Sequence, residues 1–203
     1  MTGGTMKQAK LAVILVAIAC SGGAHAALQG RDLNGDTVVD AFYDTDLNIT
    51  WRRNANVNGL MTWTDAVNWA ENQTFGGYTD WRLPTSEACA GFNCTGGELG
   101  HLWYVELGNL AGDSTPNTGG FGNMQLYAYW SGTTYGPDPS QAWHLNIDLG
   151  DQDFAGKQNL LYAMAVRPGD VVAAAIPEPE TYALMLAGLG ALGAMARRRR
   201  ARS

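Results

Sequence analysis

Apolar and polar positions along this chain repeat with three different rhythms. Near each end lies a short unbroken apolar run, at residues 11–19 and 182–196. Between them, Trp63, Ala66, Val67 and Ala70 follow the i, i+3, i+4, i+7 spacing of an amphipathic helix. Thr62-Trp63-Thr64-Asp65 reads as a capping box that starts it, and Gly76-Gly77 is expected to stop it. Thr95-Gly96-Gly97-Glu98 reads as a second capping box, opening a helix with Leu99, Leu102, Trp103 and Leu107 inward. Elsewhere the period is two. Val38-Val39 and Phe42-Tyr43, on either side of Asp40, predict two short strands within residues 37–51, and 127–133 is aromatic and β-rich. Trp143, Leu145, Ile147 and Leu149 alternate with His144, Asn146 and Asp148, which predicts a half-buried strand. Gly150-Asp151 then turns the chain into 152–155, and 160–167 reads as a last buried strand ended by Pro168. Residues 111–123, rich in Gly, Asn and Thr, predict a loop. Helices come early and antiparallel strands late, so the predicted class is α+β rather than alternating βαβ.

The chain holds seven tryptophans. Each buries about 150–250 Å², worth roughly 4–6 kcal/mol as an upper bound. Trp51, Trp63, Trp81, Trp103, Trp130 and Trp143 fall in or beside predicted elements and are assigned to the core. Trp69 lies off the apolar stripe of its helix and is expected to be exposed. The charge is uneven. Over the whole chain it is −6, but residues 27–175 hold six basic side chains (Arg31, Arg52, Arg53, Arg82, Lys157, Arg167) against seventeen acidic ones, a net of −11. Such a body repels nucleic acid and anionic lipid, and favours cations, neutral glycans or proteins as partners.

The ends read as targeting segments. Lys7 and Lys10 precede the first apolar run, and Ala24-His25-Ala26 is a small-x-small cleavage site, so residues 1–26 are expected to be a signal peptide. Met6 is an alternative initiator, and Cys20 a rival lipoprotein site that lacks the usual leucine before it. At the other end Pro177-Glu178-Pro179 is followed by an apolar stretch and then Arg197-Arg198-Arg199-Arg200. The stretch from Thr181 is 16 residues long. As a helix it spans roughly 24 Å against a hydrocarbon core of about 30 Å, a marginal membrane anchor with its arginines inside. This order of parts resembles the PEP-CTERM sorting signal. The resemblance implies export, an inner-membrane intermediate, processing near Pro177-Glu178-Pro179 by a membrane-embedded exosortase, and delivery to the cell surface or extracellular matrix of a biofilm-forming bacterium. The expected organisation is therefore signal peptide (1–26), one domain (27–172), linker (173–176) and sorting signal (177–203).

Within the domain, Thr62-Trp63-Thr64-Asp65-Ala66, Gly76-Gly77-Tyr78-Thr79-Asp80-Trp81-Arg82-Leu83-Pro84-Thr85, Tyr129-Trp130-Ser131-Gly132-Thr133 and Ala165-Val166-Arg167 together resemble the Lcl C-terminal domain family. That resemblance implies a C-type-lectin-like fold: two main helices flanking a twisted antiparallel sheet, with the chain ends close together. It implies exported surface proteins, of which at least one type binds sulfated polysaccharides. The acidic body conflicts with that ligand. The Glu-Pro-Asn, Gln-Pro-Asp and Trp-Asn-Asp signatures of calcium-dependent sugar binding are absent, and Pro137-Asp138-Pro139 only echoes them. Trp63, Asp80, Trp81, Arg82, Leu83, Pro84, Trp130 and Arg167 are read as framework, with Arg82 paired to Asp80 or to a carboxylate across the fold. Pro84 forces Leu83 to be extended and leaves Thr85 to cap a short helix carrying Glu87.

Three further groups carry chemistry. Cys89 and Cys94 suit a disulfide in an oxidising compartment, with a zinc pair as the alternative; His101 and His144 stand alone. Asp32, Asn34, Asp36 and Asp40 place oxygens at alternate positions, as calcium loops do, but Thr37 and Tyr43 occupy the places where such loops carry Gly and Glu. A polar turn explains the same residues. His144, Asn146 and Asp148 share a predicted strand face and, with Trp69, form a candidate ligand platform; a solvated face is the alternative. No Gly-x-Ser-x-Gly, His-Glu-x-x-His or P-loop pattern occurs. The expectation is a non-enzymatic binding module without a cofactor unless calcium binds, acting with an exopolysaccharide or a surface protein.

Overall fold

A computed structural model describes residues 28–171. The expected signal peptide, the linker and the sorting segment, including Pro177, Glu178, Pro179 and Arg197, Arg198, Arg199 and Arg200, lie outside the described residues. Among the described residues no helix is long and apolar enough to cross a membrane.

The chain builds two antiparallel sheets. The first contains β1 (Gln29–Arg31), β2 (Ala41–Asp44), β3 (Ile49–Arg52) and, from the far end of the domain, β7 (Val166–Pro168), in the order β1-β2-β3-β7. The second is the meander β4 (Ala128–Thr134), β5 (Gln141–Asn146) and β6 (Gln152–Gly156). Helical structure is confined to α1 (Trp63–Asn72) and to a single turn, α2 (Glu98–Gly100), that widens into a π-helix, His101–Glu106. The domain is thus mostly sheet. The expected pair of main helices flanking one sheet is wrong, because only the first helical pattern is capped and continued.

At α1 the Thr62 hydroxyl accepts from the Asp65 backbone N–H and donates to the Asp65 carboxylate, so the side-chain N-cap forms, with the second bond going to the hydroxyl rather than to the Thr62 N–H. At α2 it does not. Gly97 occupies the N-cap without a side-chain bond, and Glu98 turns instead toward Arg82, leaving a three-residue helix. Leu99, Leu102, Trp103 and Leu107 nevertheless all face inward as their spacing predicts. Gly76 and Gly77 stop nothing: α1 has already ended at Asn72. Both have positive φ and form the two-residue turn of a tight loop in which Phe75 and Tyr78 exchange backbone hydrogen bonds. No helix follows Thr85, and Val38-Val39 lies in a bend rather than a strand. Residues 111–123 are irregular, as predicted.

Two apolar clusters share the strands. The larger joins Ile49 and Trp51 of β3, Leu99, Leu102, Trp103 and Leu107 of the helical segment, Tyr129, Leu145 and Val166. The smaller packs Ala66 and Ala70 of α1 on Leu83, Trp130, Ala142 and Ala163. Gly150, at φ +82, closes the turn between β5 and β6, and a Cβ there would strike the Trp103 ring. Arg31 and Asp170, at opposite ends of the described chain, form a two-point ion pair at 2.8 Å, so the domain closes on itself.

Candidate functional site

The four motif segments meet in space. Arg82 and Val166 exchange backbone N–H···O bonds of 2.8 and 2.9 Å, which docks the Trp81-Arg82-Leu83-Pro84 run beside β7. The register of β4 and β5 slips between Trp130 and Thr134. At that bulge the Gly132 N–H donates to the Pro84 carbonyl, and the Ser86 N–H to the Thr133 hydroxyl. The Trp63 indole donates to the Ser131 carbonyl, which ties α1 to the same bulge. Trp81, Leu83 and Trp130 are buried.

Arg82 pairs with Glu98, not with Asp80. Two guanidinium nitrogens reach the two Glu98 oxygens at 2.6 and 2.7 Å, and the Thr85 N–H donates to the same carboxylate. Burial pushes the Glu98 carboxyl up, but Arg82 and Thr85 outweigh it and hold it below the usual range. Asp80 goes to Arg167 in a second fork at 2.8 and 2.9 Å, and that hydrogen bond holds Asp80 low. Trp63, Val67, Glu71, Arg82, Leu83 and Thr85 also line a hollow of about 250 Å³.

Cys89 and Cys94 form a disulfide with Cα atoms 5.7 Å apart. Glu87 lies close to both sulfurs, but bonded cysteines offer no thiolate to a metal. Inside the small loop, Gly91 and Gln152 exchange backbone hydrogen bonds, so the loop is pinned to the first residue of β6 at its outer edge.

The Asp32–Asp40 segment folds as an exposed polar loop whose oxygens serve its own backbone. Asp32 accepts from the Asn34, Gly35 and Thr37 amides, Asn34 from Asp36, Asp36 from Val38, and Asp40 from Leu33. The polar-turn reading accounts for each of these residues.

The platform residues do not assemble as expected. His144 is 8% exposed, against the edge of Trp130, and its Nδ1 has no partner. Asn146 donates to Asp151, and Asp148 stands in the turn beyond the end of β5. The face is not open to water: His144 lies beside the Trp130 ring of β4, with Asp151 and Asp153 near it, neighbours that alternation alone does not report. Trp69 is half-buried against the smaller cluster, its indole 3.0 Å from the Asn58 amide oxygen once that amide is oriented to satisfy both groups.

The exposed aromatic surface lies elsewhere. Leu60, Gln125, Leu126, Tyr127 and Tyr162 line an open hollow of about 310 Å³. Leu60, Leu126 and Tyr127 are 46, 53 and 51% exposed, and Tyr127 stands edge-on to Tyr162 at 6.1 Å between ring centres. Residue spacing did not reveal it, since its members come from three segments, and only Tyr127 and Tyr162 belong to predicted strands, two that are far apart in the chain. His101, expected to stand alone, sits instead among Asp44, Asp46 and Glu106.

A family model described as the Lcl C-terminal domain matches residues 40–167. Another, described as the PEP-CTERM protein-sorting motif, matches residues 175–200. No curated protein matches the chain.

Proposed function

This chain belongs to the Lcl C-terminal domain family and carries a PEP-CTERM sorting motif, and from that premise we propose that it acts without catalysis, as a binding module for a neutral exopolysaccharide. The sorting motif supports export through a membrane intermediate to the cell surface or extracellular space, and it implies processing by an exosortase. The observation that carries the binding proposal is the tyrosine hollow. Three large apolar side chains stand about half exposed around one concave surface, beside the amide of Gln125. Water-exposed apolar residues gathered in this way mark a contact surface more often than scattered ones do. A tyrosine ring offers an apolar face to the C–H face of a sugar and a hydroxyl to its rim. The net charge of −11 on residues 27–175 favours an uncharged polymer over a sulfated one.

A glycan array probed with the exported protein tests this. Saturable binding to neutral polysaccharide, weakened at least tenfold by Tyr127→Ala, is the expected result. Uniform absence of binding points to a structural matrix component, and preference for a purified surface protein points to that partner instead. Either outcome overturns the proposal.

A further inference from the structure

A π-helix is an uncommon device, and this one brings together residues that an α-helix keeps apart. At about 100° per residue, positions i and i+5 of an α-helix point roughly 140° away from each other. The wider i→i+5 turn of residues His101–Glu106, seen in the Leu107 N–H bond to the Leu102 carbonyl, sets His101 and Glu106 side by side. Their Nε2 and Oε1 atoms are 3.3 Å apart. From the first sheet, the end of β2 adds Asp44, whose Oδ2 is 3.9 Å from the same His101 nitrogen, and the turn that follows adds Asp46, whose Oδ2 is 4.0 Å away. The ligand atoms of Asp44, His101 and Glu106 all lie within 4.8 Å of one another.

Two of these carboxylates are unusually placed. The Asp44 and Glu106 side chains are fully buried, and each has one oxygen without a hydrogen-bond partner, Asp44 Oδ2 and Glu106 Oε2. Buried carboxylate oxygens are costly unless a cation or donor meets them, and two carboxylates this close repel each other. Among the described residues no ion pair brings an arginine or lysine to either. Asp44 has a separate use for its other oxygen, which accepts the Asp46 and Leu47 N–H groups of the turn, so only Oδ2 is left facing the cluster.

We propose that Asp44, His101 and Glu106, with half-exposed Asp46 at the rim, form a site for one divalent transition-metal ion of the zinc type. One imidazole nitrogen and up to three carboxylate oxygens suit such an ion. Ligands about 2.0–2.2 Å from a tetrahedral zinc stand roughly 3.3–3.6 Å apart, close to the spacing found here. Calcium takes six to eight oxygens and has less use for an imidazole. The ion would neutralise the buried carboxylates and tie the β2–β3 turn to the π-helix. Its role is structural, and independent of the tyrosine hollow.

The test is titration of the metal-stripped exported protein with Zn²⁺ by calorimetry, together with X-ray absorption at the zinc edge. The expected result is one saturable equivalent, a raised melting temperature, and an absorption shell of nitrogen and oxygen with the multiple scattering of one imidazole. His101→Gln and Glu106→Gln should each weaken binding at least tenfold, while Asp32→Asn in the exposed acidic loop leaves it unchanged. The absorption measurement needs no variant and so stands even where a substitution perturbs folding. Absence of binding, binding that survives His101→Gln, a shell without imidazole, or preference for Ca²⁺ over Zn²⁺ would overturn the assignment.

Discussion

His144 sits in the second sheet between Trp130 and the carboxylates of Asp151 and Asp153. Burial pushes its pKa below the ordinary 6.5, and the two aspartates pull it back only in part. Below about pH 6.5 the unfolded chain therefore takes up a proton that the folded protein refuses. His144 thus contributes stability that is complete above that pH and declines as the pH falls toward its folded pKa. The slope from one such group is at most about 1.4 kcal/mol per pH unit. His144→Phe should flatten the decline, which urea unfolding at a series of pH values will measure; an unchanged slope would place the effect elsewhere. Arg82 and Glu98 form the other residue-scale pair. Glu98→Gln keeps the shape but removes the charge behind two short hydrogen bonds, and should cost about 2 kcal/mol. Arg82→Lys should not rescue it, because an ammonium cannot reproduce the fork. The depressed pKa of Glu98 adds stability above its unfolded value of about 4.5 that is lost as the pH drops further.

Between neighbouring elements, backbone approach matters as much as side chains. Gly100 joins α2 to the π-helix, and a Cβ placed there would collide with the Cys94 carbonyl. Gly100→Ala must push the helix off the disulfide loop, at a cost of about 3 kcal/mol typical of overpacking. Circular dichroism melting should show it. The disulfide itself closes a very short loop, so chain entropy assigns it only about 2 kcal/mol. The double substitution Cys89→Ser with Cys94→Ser should lower the unfolding free energy by that amount, measured in urea, while the Gly91–Gln152 pairing keeps the loop on β6. The element-level reading of the sequence succeeded where a local interaction decided the outcome. Thr62 and Asp65 are three residues apart, and their cap formed. Glu98 had the same local option, but a bidentate arginine from 16 residues away was stronger. Gly76-Gly77 carried the right conformational message, positive φ, but it served a turn rather than a helix end.

For the molecule as a whole, the sorting motif leads to a covalent prediction. The protein recovered outside an exosortase-bearing cell should lack Arg197–Arg200, with its new C-terminus near Pro177–Pro179, as intact-mass spectrometry will show. A mass that includes the arginines would contradict exosortase processing. The sequence alone determined the export address, the family, the disulfide and the inward stripe of Leu99, Leu102, Trp103 and Leu107. Each of these depends on residues close together along the chain, or on motifs whose meaning does not depend on their surroundings. Only the tertiary structure decided that the domain is two sheets, that His144 is covered, that Arg82 belongs to Glu98, and that His101 meets Asp44 across the fold. Those outcomes turn on which distant segment packs within hydrogen-bonding distance in the folded chain, and hydrophobic periodicity reports which way a side chain faces but not what it will meet there.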